Sequence, residues 1–353
     1  MVEMRSKFRS LKLLGCMALI VLAILAADPR SMWDAITSVD LGILSLVVAL
    51  YILNLIMKSY RWGILMNGNG PVGRPPFRSI FANFAFAQAI NNVTPGRVFG
   101  EATRIYGASS RLGVRAGVGT ALVVTEKMMD LIIATTAAVF GMMLLAPVIL
   151  GTVRNEINGA ILFAVLFNLL LIGLLARPRS LLTAGNILIN IIDRTFPGKL
   201  GNRLTGKLSC FLDSFVASVA AGSDRTKRRT MAGAATLTVI IWANEALRTC
   251  LILLALGAPL NVPAALVVTG VSALSAVLLV AGSSHIVISS AVFSAVGIEA
   301  RVAAGAGLLS AMTSIWLSVP IGLLATFFED RHIKAGVVNE APQSASPIGK
   351  GDN

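Results

Sequence analysis

LIIATTAAVFGMMLLAPVIL, residues 131–150, carries no charged side chain. At about 1.5 Å per residue, a helix of this length covers roughly 30 Å, the thickness of a bilayer's hydrocarbon core. Further apolar runs lie at 13–27, 41–57, 159–176, 231–257, 263–281 and 302–328, with a shorter one at 286–297. A soluble chain would have to hide all of these faces at once. Composition agrees: of 353 residues, 56% are apolar and 13% charged, against a charged share of about 25% in ordinary soluble domains. The expected fold is all-α, a polytopic membrane helix bundle of about 7–8 transmembrane helices with one or two broken or re-entrant segments. It forms a single integral membrane domain over 1–328, and the polar stretch 329–353 is expected to be a disordered tail.

The first run follows Arg5, Lys7, Arg9 and Lys12, as in a signal peptide. Leu25-Ala26-Ala27 is a poor cleavage site and a second run follows soon after, so a retained helix is expected. Basic residues alternate along the chain. The N-terminal segment holds four, the stretch 58–115 holds eight, and 177–229 holds ten, whereas the intervening loops hold one or none. Under the positive-inside rule this places the N-terminus and both long basic stretches in the cytoplasm, as expected for a bacterial cytoplasmic (inner) membrane. The segment 177–230 mixes these charges with apolar stretches and reads as amphipathic helices on the cytoplasmic surface.

The net charge of +13 therefore needs no nucleic-acid partner. Basic loops beside a bilayer set topology and meet anionic head groups, and the few aromatic residues make no stacking platform. Three cysteines without metal spacing, and two distant histidines, His285 and His332, argue against a disulfide framework, a metal site or a catalytic triad. No cofactor motif is visible, and an enzyme of standard soluble chemistry is not expected.

Polarity inside apolar segments is the informative feature. Asn83, Gln88, Asn91 and Asn92 interrupt the run 77–93, and Thr94-Pro95-Gly96-Arg97 ends it. Proline and glycine break helices, and irregular backbone at membrane depth needs protein or a wet cavity around it. A re-entrant or broken helix is expected. If a helix restarts beyond Pro95-Gly96, Arg97, Glu101 and Arg104 share one face. They then form either surface ion pairs or the lining of a site.

The order of several motifs here resembles a known family. Tyr60-Arg61-Trp62 is followed by Asn91-Asn92-Val93-Thr94-Pro95-Gly96-Arg97-Val98-Phe99-Gly100-Glu101 with Arg104, then Gly113-Val114, then Glu126-Lys127 with Asp130. The string resembles the transmembrane-region family of lysylphosphatidylglycerol synthases, flippase-like integral membrane proteins. The resemblance covers about 60–130 well. Later the family's Pro-Gly-Gly segment and following acid are replaced by Val280-Ala281-Gly282-Ser283-Ser284-His285-Ile286-Val287, and no arginine lies within 302–328. The resemblance implies a lipid substrate, and the departure implies a less polar or differently charged one, such as a polyprenyl or hopanoid-type lipid.

Glu245 and Arg248 lie three residues apart inside the run 231–257, near Trp242, Asn244 and Thr249. Each charge costs roughly 2.5 to 3.5 kcal/mol at a membrane helix centre, so this face turns toward the bundle interior. It serves as a packing ion pair or as a contact for a head group or coupling proton. Glu126, Lys127 and Asp130 pose the same choice at the start of another span, closer to the interface. Interrupted segments in both halves, 83–100 and 282–297, further suggest a transporter's central site.

These readings converge on a protein that moves or presents a polar-headed, anionic or phosphate-linked lipid. Asn91, Asn92, Arg97, Glu101 and Arg104 would receive the head group and Glu245 with Arg248 would line its path. Two other classes remain open. One is a membrane-embedded lipid transferase using Glu101 or Glu245. The other is a non-catalytic partner subunit of a lipid- or glycan-modifying enzyme.

Overall fold

The computed structural model describes residues 39–67, 75–94, 98–146, 154–176, 225–275 and 283–339, with scattered residues between 186 and 213. The run 13–27, Arg97, most of the amphipathic stretch 177–230 and the tail beyond 339 lie outside the described residues. In chain order the helices are α1 (Leu41–Asn67), α2 (Phe77–Val93), α3 (Val98–Arg111), α4 (Ala116–Leu145), α5 (Arg154–Ala176), α6 (Arg225–Ala255), α7 (Val262–Ser275), α8 (Ser283–Ala295), α9 (Ala300–Ala311) and α10 (Leu317–Asn339). A π-helical turn, Met312–Trp316, joins α9 to α10 in one continuous rod.

Among the described residues, four helical stretches are long and apolar enough to cross a membrane: Leu41–Asn67, Ala116–Leu145, Arg228–Ala255 and Ala300–His332. Shorter apolar helices occupy Ile161–Leu175, Val262–Leu274 and Ile286–Ala295. The architecture is the all-helical polytopic bundle that the apolar runs predict. Its outer surface is greasy, as lipid contact requires: Leu162, Phe163, Leu166, Leu169 and Leu170 of α5 are all exposed.

Helix ends differ from run ends. The run 41–57 stops at Met57, yet α1 continues to Asn67. The run 131–150 starts after Asp130, yet α4 begins at Ala116. Glu126, Lys127 and Asp130 therefore sit mid-helix rather than at the start of a span, a correction to the sequence expectation. A run ends at its first charge, whereas a helix tolerates a charge whose partner waits on a neighbouring helix. α10 likewise runs past Phe328 to Asn339, with Glu329 buried against Ser79 and Arg78, and Asp330 3.2 Å from Arg111.

Three helix pairs pack antiparallel. Along α1 and α6, Asp40 meets Ala255, Asn54 meets Ile241 and Asn244, and Arg61 meets Thr238. Along α4 and α7, Gly141 lies against Pro263 and Val267 while Gly270 lies against Ala134 and Ala138. A Cβ at either glycine would strike the facing backbone; small residues let membrane helices approach this closely. Along α2 and α10, Asn92 meets Ser318, Ala85 meets Gly322 and Ser79 meets Glu329.

The break after Thr94 folds α3 back along α2. Gly100 lies against Ala87 and Asn91, and Gly107 against Asn83, in the reversed order that a hairpin requires. A second hairpin, α8 with α9, turns at Gly297. There φ is 82°, and Gly297 and Ile298 donate back to the Ser294 and Phe293 carbonyls. That left-handed turn closes a helix C-terminus and favours glycine.

Candidate functional site

Helix α3 shows where the first hairpin lies. Its outward residues include Val98, Phe99 and Tyr106, all well exposed, while Arg104 faces inward and is buried. A helix with apolar side chains outside and charges inside suits lipid, not water. Its length of about 21 Å is too short to cross the hydrocarbon core. The hairpin thus has the form of a re-entrant element, with Arg78 and Arg111 about half exposed at one end and Glu101 and Arg104 pointing into the bundle.

Those charges meet partners from two long helices. Arg61 of α1 is 1% exposed at its side chain. It donates to Asp130 at 2.6 Å, to Glu126 at 2.8 Å and to the Thr238 hydroxyl at 2.8 Å. Arg104 donates to Glu126 at 3.0 Å and lies over the Trp62 ring at 4.4 Å. Glu101 contacts Arg104 at 2.6 Å and Lys127 at 2.8 Å, and accepts from Asn91 at 3.1 Å. Trp242 donates to Asp130 at 3.1 Å. Arg61, Arg104 and Lys127 face Glu101, Glu126 and Asp130, so this network is neutral. Balanced charge is what permits the burial of Arg61, Arg104 and Glu126, while Lys127 stays partly exposed.

A second cluster is not balanced. Glu245 of α6 sits between Lys58 of α1 at 3.0 Å and Arg248 at 2.7 Å. Arg248 is 2% exposed. Its Nη2 reaches only the Thr313 and Ser314 hydroxyls, each at 3.3 Å. Its Nε has no hydrogen-bond partner among the described residues, and Tyr51 supplies a ring face at 5.0 Å. Two cations thus share one carboxylate. The side chains of Lys58 and Glu245 are about a quarter exposed, at 24% and 23%, so the cluster opens on that side.

The π turn forms the wall of this cluster. Widening a helix by one residue per turn frees carbonyls, and such turns often occur at functional sites. Asn92 donates to the Ser314 carbonyl and to the Ser318 hydroxyl, both at 3.0 Å. Gln88 in turn donates to Asn92 at 3.0 Å. Pro320, which cannot donate a backbone bond, follows within the same helix.

Asn91, Glu101 and Arg104, predicted as one group, and Glu126, Lys127 and Asp130, predicted as another, form one network, and Asn92 joins Glu245 and Arg248 through the π turn. Arg97 lies outside the described residues. His285 belongs to α8, and its side chain also lies outside them. Sequence reasoning did not place Asn54, Lys58 or Arg61 in the site: Lys58 was counted as a loop charge, and Arg61 entered only as part of the Tyr60-Arg61-Trp62 motif. Their spacing of four and three on one face of α1 was the available signal. Among the described residues, no group of three or more His, Cys, Asp or Glu is placed to hold a metal ion.

The model of the lysylphosphatidylglycerol synthase TM region matches residues 11–322. The chain belongs to this family. It is also similar to UPF0104 membrane protein PH1989 of Pyrococcus horikoshii, 25% identical over 301 residues that cover 80% of this chain and 86% of the relative. No solved structure matches it significantly. Family members are membrane proteins, and the family match spans both polar clusters, the break between α2 and α3, and most of the second half.

Proposed function

We propose that this family member moves or presents an anionic, polar-headed lipid, which it receives at the partly exposed Lys58–Glu245 edge of the cluster between α1, α6 and the π turn. One observation carries the reading: polar side chains continue along the α1–α6 seam from Arg61 and Thr238 through Lys58, Asn54 and Asn244 to Glu245, Arg248 and Tyr51. Thr238 and Arg248 are ten residues apart, about 15 Å along the helix, which is roughly half the hydrocarbon thickness. Over that depth the described track holds five cations (Lys58, Arg61, Arg104, Lys127 and Arg248) and four carboxylates (Glu101, Glu126, Asp130 and Glu245). A head group with negative charge would find a compensated route through an otherwise forbidding interior.

The transferase alternative is weaker on this geometry. Glu101 and Glu245, the acids it would use, are each gripped by two cations, which suits ion pairing better than proton transfer. The proposal places the protein in a cytoplasmic membrane with the Asn67 end of α1 and the Arg225 end of α6 inside the cell. That orientation follows from the basic residues around these ends.

Mass spectrometry of lipids that co-purify in mild detergent tests the reading. Enrichment of an anionic lipid class in the wild type, lost in Arg248→Gln while the protein stays monodisperse, supports it. The same lipid profile in both proteins rejects it.

A further inference from the structure

We infer that Glu245 is a built-in placeholder for the ligand's anion, so that the site takes a singly charged phosphodiester by exchange with the Glu245 carboxylate. The inference rests on the lipid-handling reading and adds the charge class of the ligand and the way the site is kept closed without it.

A guanidinium offers five N–H donors in a planar fork. In Arg248 only Nη1 has an ionic partner, Glu245 at 2.7 Å, and the Nη2 contacts are two long bonds to neutral hydroxyls. Nε has no partner among the described residues, in a side chain that is almost fully buried. A buried cation with unused donors is costly unless another acceptor completes its shell. A phosphodiester carries two equivalent anionic oxygens, which match a guanidinium fork in a bidentate pair. Its single charge would also bring the sum of Lys58, Arg248 and Glu245 from +1 to zero.

Placement supports exchange in preference to simple addition. Glu245 uses one oxygen for Lys58 and the other for Arg248, so it bridges the two groups that a phosphate would bridge. It lies at the open edge of the cluster, about a quarter exposed, whereas Arg248 lies behind it. An incoming anion therefore meets Lys58 and Glu245 first. As the phosphate takes the Arg248 fork, Glu245 keeps Lys58 or turns to the opening. The Ser314 hydroxyl, which accepts from Arg248, can turn its own O–H toward the phosphate from the far wall, while Thr313 keeps its O–H on the Leu309 carbonyl and the Tyr51 ring holds the guanidinium plane. Without ligand the carboxylate closes the circuit, so the cations need not recruit bulk anions.

The test counts charge. Phosphatidylglycerol, a monoanionic diester, is titrated into phosphatidylcholine nanodiscs holding the full-length protein, and binding is read by native mass spectrometry. Lys58→Met brings the cluster to zero and lowers phosphatidylglycerol affinity on the order of tenfold. Glu245→Gln raises the cluster to +2 and increases affinity by a similar factor, although it removes the ionic partner that Lys58 and Arg248 share. Lys58→Met/Glu245→Gln returns the sum to +1 and the affinity to near wild type. If Glu245→Gln is not monodisperse, the comparison of Lys58→Met with the double variant carries the same test.

Unchanged or weaker binding in Glu245→Gln, or no recovery in the double variant, overturns the exchange. A wild type that binds phosphatidylglycerol no better than phosphatidylcholine overturns the lipid reading as well, so the two failures are distinguishable. Glycerophosphoglycerol, the deacylated head group, separates the sources of the anion. Competition at micromolar concentration assigns the site to the phosphodiester itself, and its absence with intact lipid binding assigns it to the phosphodiester of a lipid.

Discussion

Asn92 and Ser314, 222 residues apart in the chain, are joined by a 3.0 Å hydrogen bond from the Asn92 side-chain amide to the Ser314 carbonyl. The bond ties the re-entrant hairpin to the π turn, and the Ser314 hydroxyl lies 3.3 Å from Arg248 on the turn's other side. One turn of helix therefore connects the hairpin to the unbalanced charge cluster.

Asn92→Leu removes that donor and leaves the freed carbonyl in an apolar setting. The expected cost is about 1–3 kcal/mol, seen as a lower midpoint of thermal unfolding in detergent. Head-group binding falls as well, because the Ser314 hydroxyl loses its fixed position. A variant with wild-type stability and binding would show that the π turn holds its shape without the hairpin.

Arg61 and Glu126 form a buried pair at 2.8 Å inside the neutral network. Arg61→Gln leaves Glu126 with Arg104 and Asp130 with Trp242 as their remaining partners, takes the network to a charge of −1, and is expected to destabilise by about 3–5 kcal/mol. Arg61→Gln/Glu126→Gln should recover part of that loss, since Arg104 and Lys127 then balance Glu101 and Asp130 and the network is neutral again. A double-mutant cycle on detergent-solubilised protein measures the coupling, and additive losses would mean that the pair is not formed in the membrane.

Gly100 and Gly107 face the backbone and side chains of α2 with no room for a Cβ. Gly100→Val forces the hairpin arms apart, at a cost of about 1–3 kcal/mol, and lowers the yield of folded protein. Gly159, with nothing within 4 Å, is the comparison site where the same change is expected to be mild. Equal effects at both positions would contradict the close hairpin.

Antiparallel packing of α1 on α6 puts Asp40 and Ala255 at one end of the bundle. In a cysteine-free background, Leu260→Cys should react with an impermeant maleimide in intact cells, and Asn67→Cys only after permeabilisation. The reverse pattern would invert the proposed orientation.

How much of this was legible in the sequence follows from what each signal measures. Hydropathy located every described span, because lipid-facing surfaces are apolar over their whole length. It misplaced the ends of α1, α4 and α10, where Lys58, Glu126 and Glu329 belong to helices whose charges are paired or buried. The break at Thr94-Pro95-Gly96 was readable from proline and glycine alone. That Glu245 pairs with Arg248 was readable from their spacing of three. Lys58 completes the cluster from another helix, 187 residues away in sequence, and no local pattern reports such a contact. The π turn was equally hidden, since Met312–Trp316 has no composition that distinguishes it from the helices on either side.

The most direct test of the central claim is transbilayer movement of a fluorescent phosphatidylglycerol analogue in proteoliposomes, followed by dithionite quenching of the outer leaflet. Wild-type protein is expected to make the inner-leaflet pool accessible faster than in empty liposomes, and Arg248→Gln, reconstituted at equal density, to lose most of that acceleration. Movement no faster than in empty liposomes, or equal movement in both proteins, would contradict the claim that the α1–α6 seam carries an anionic lipid.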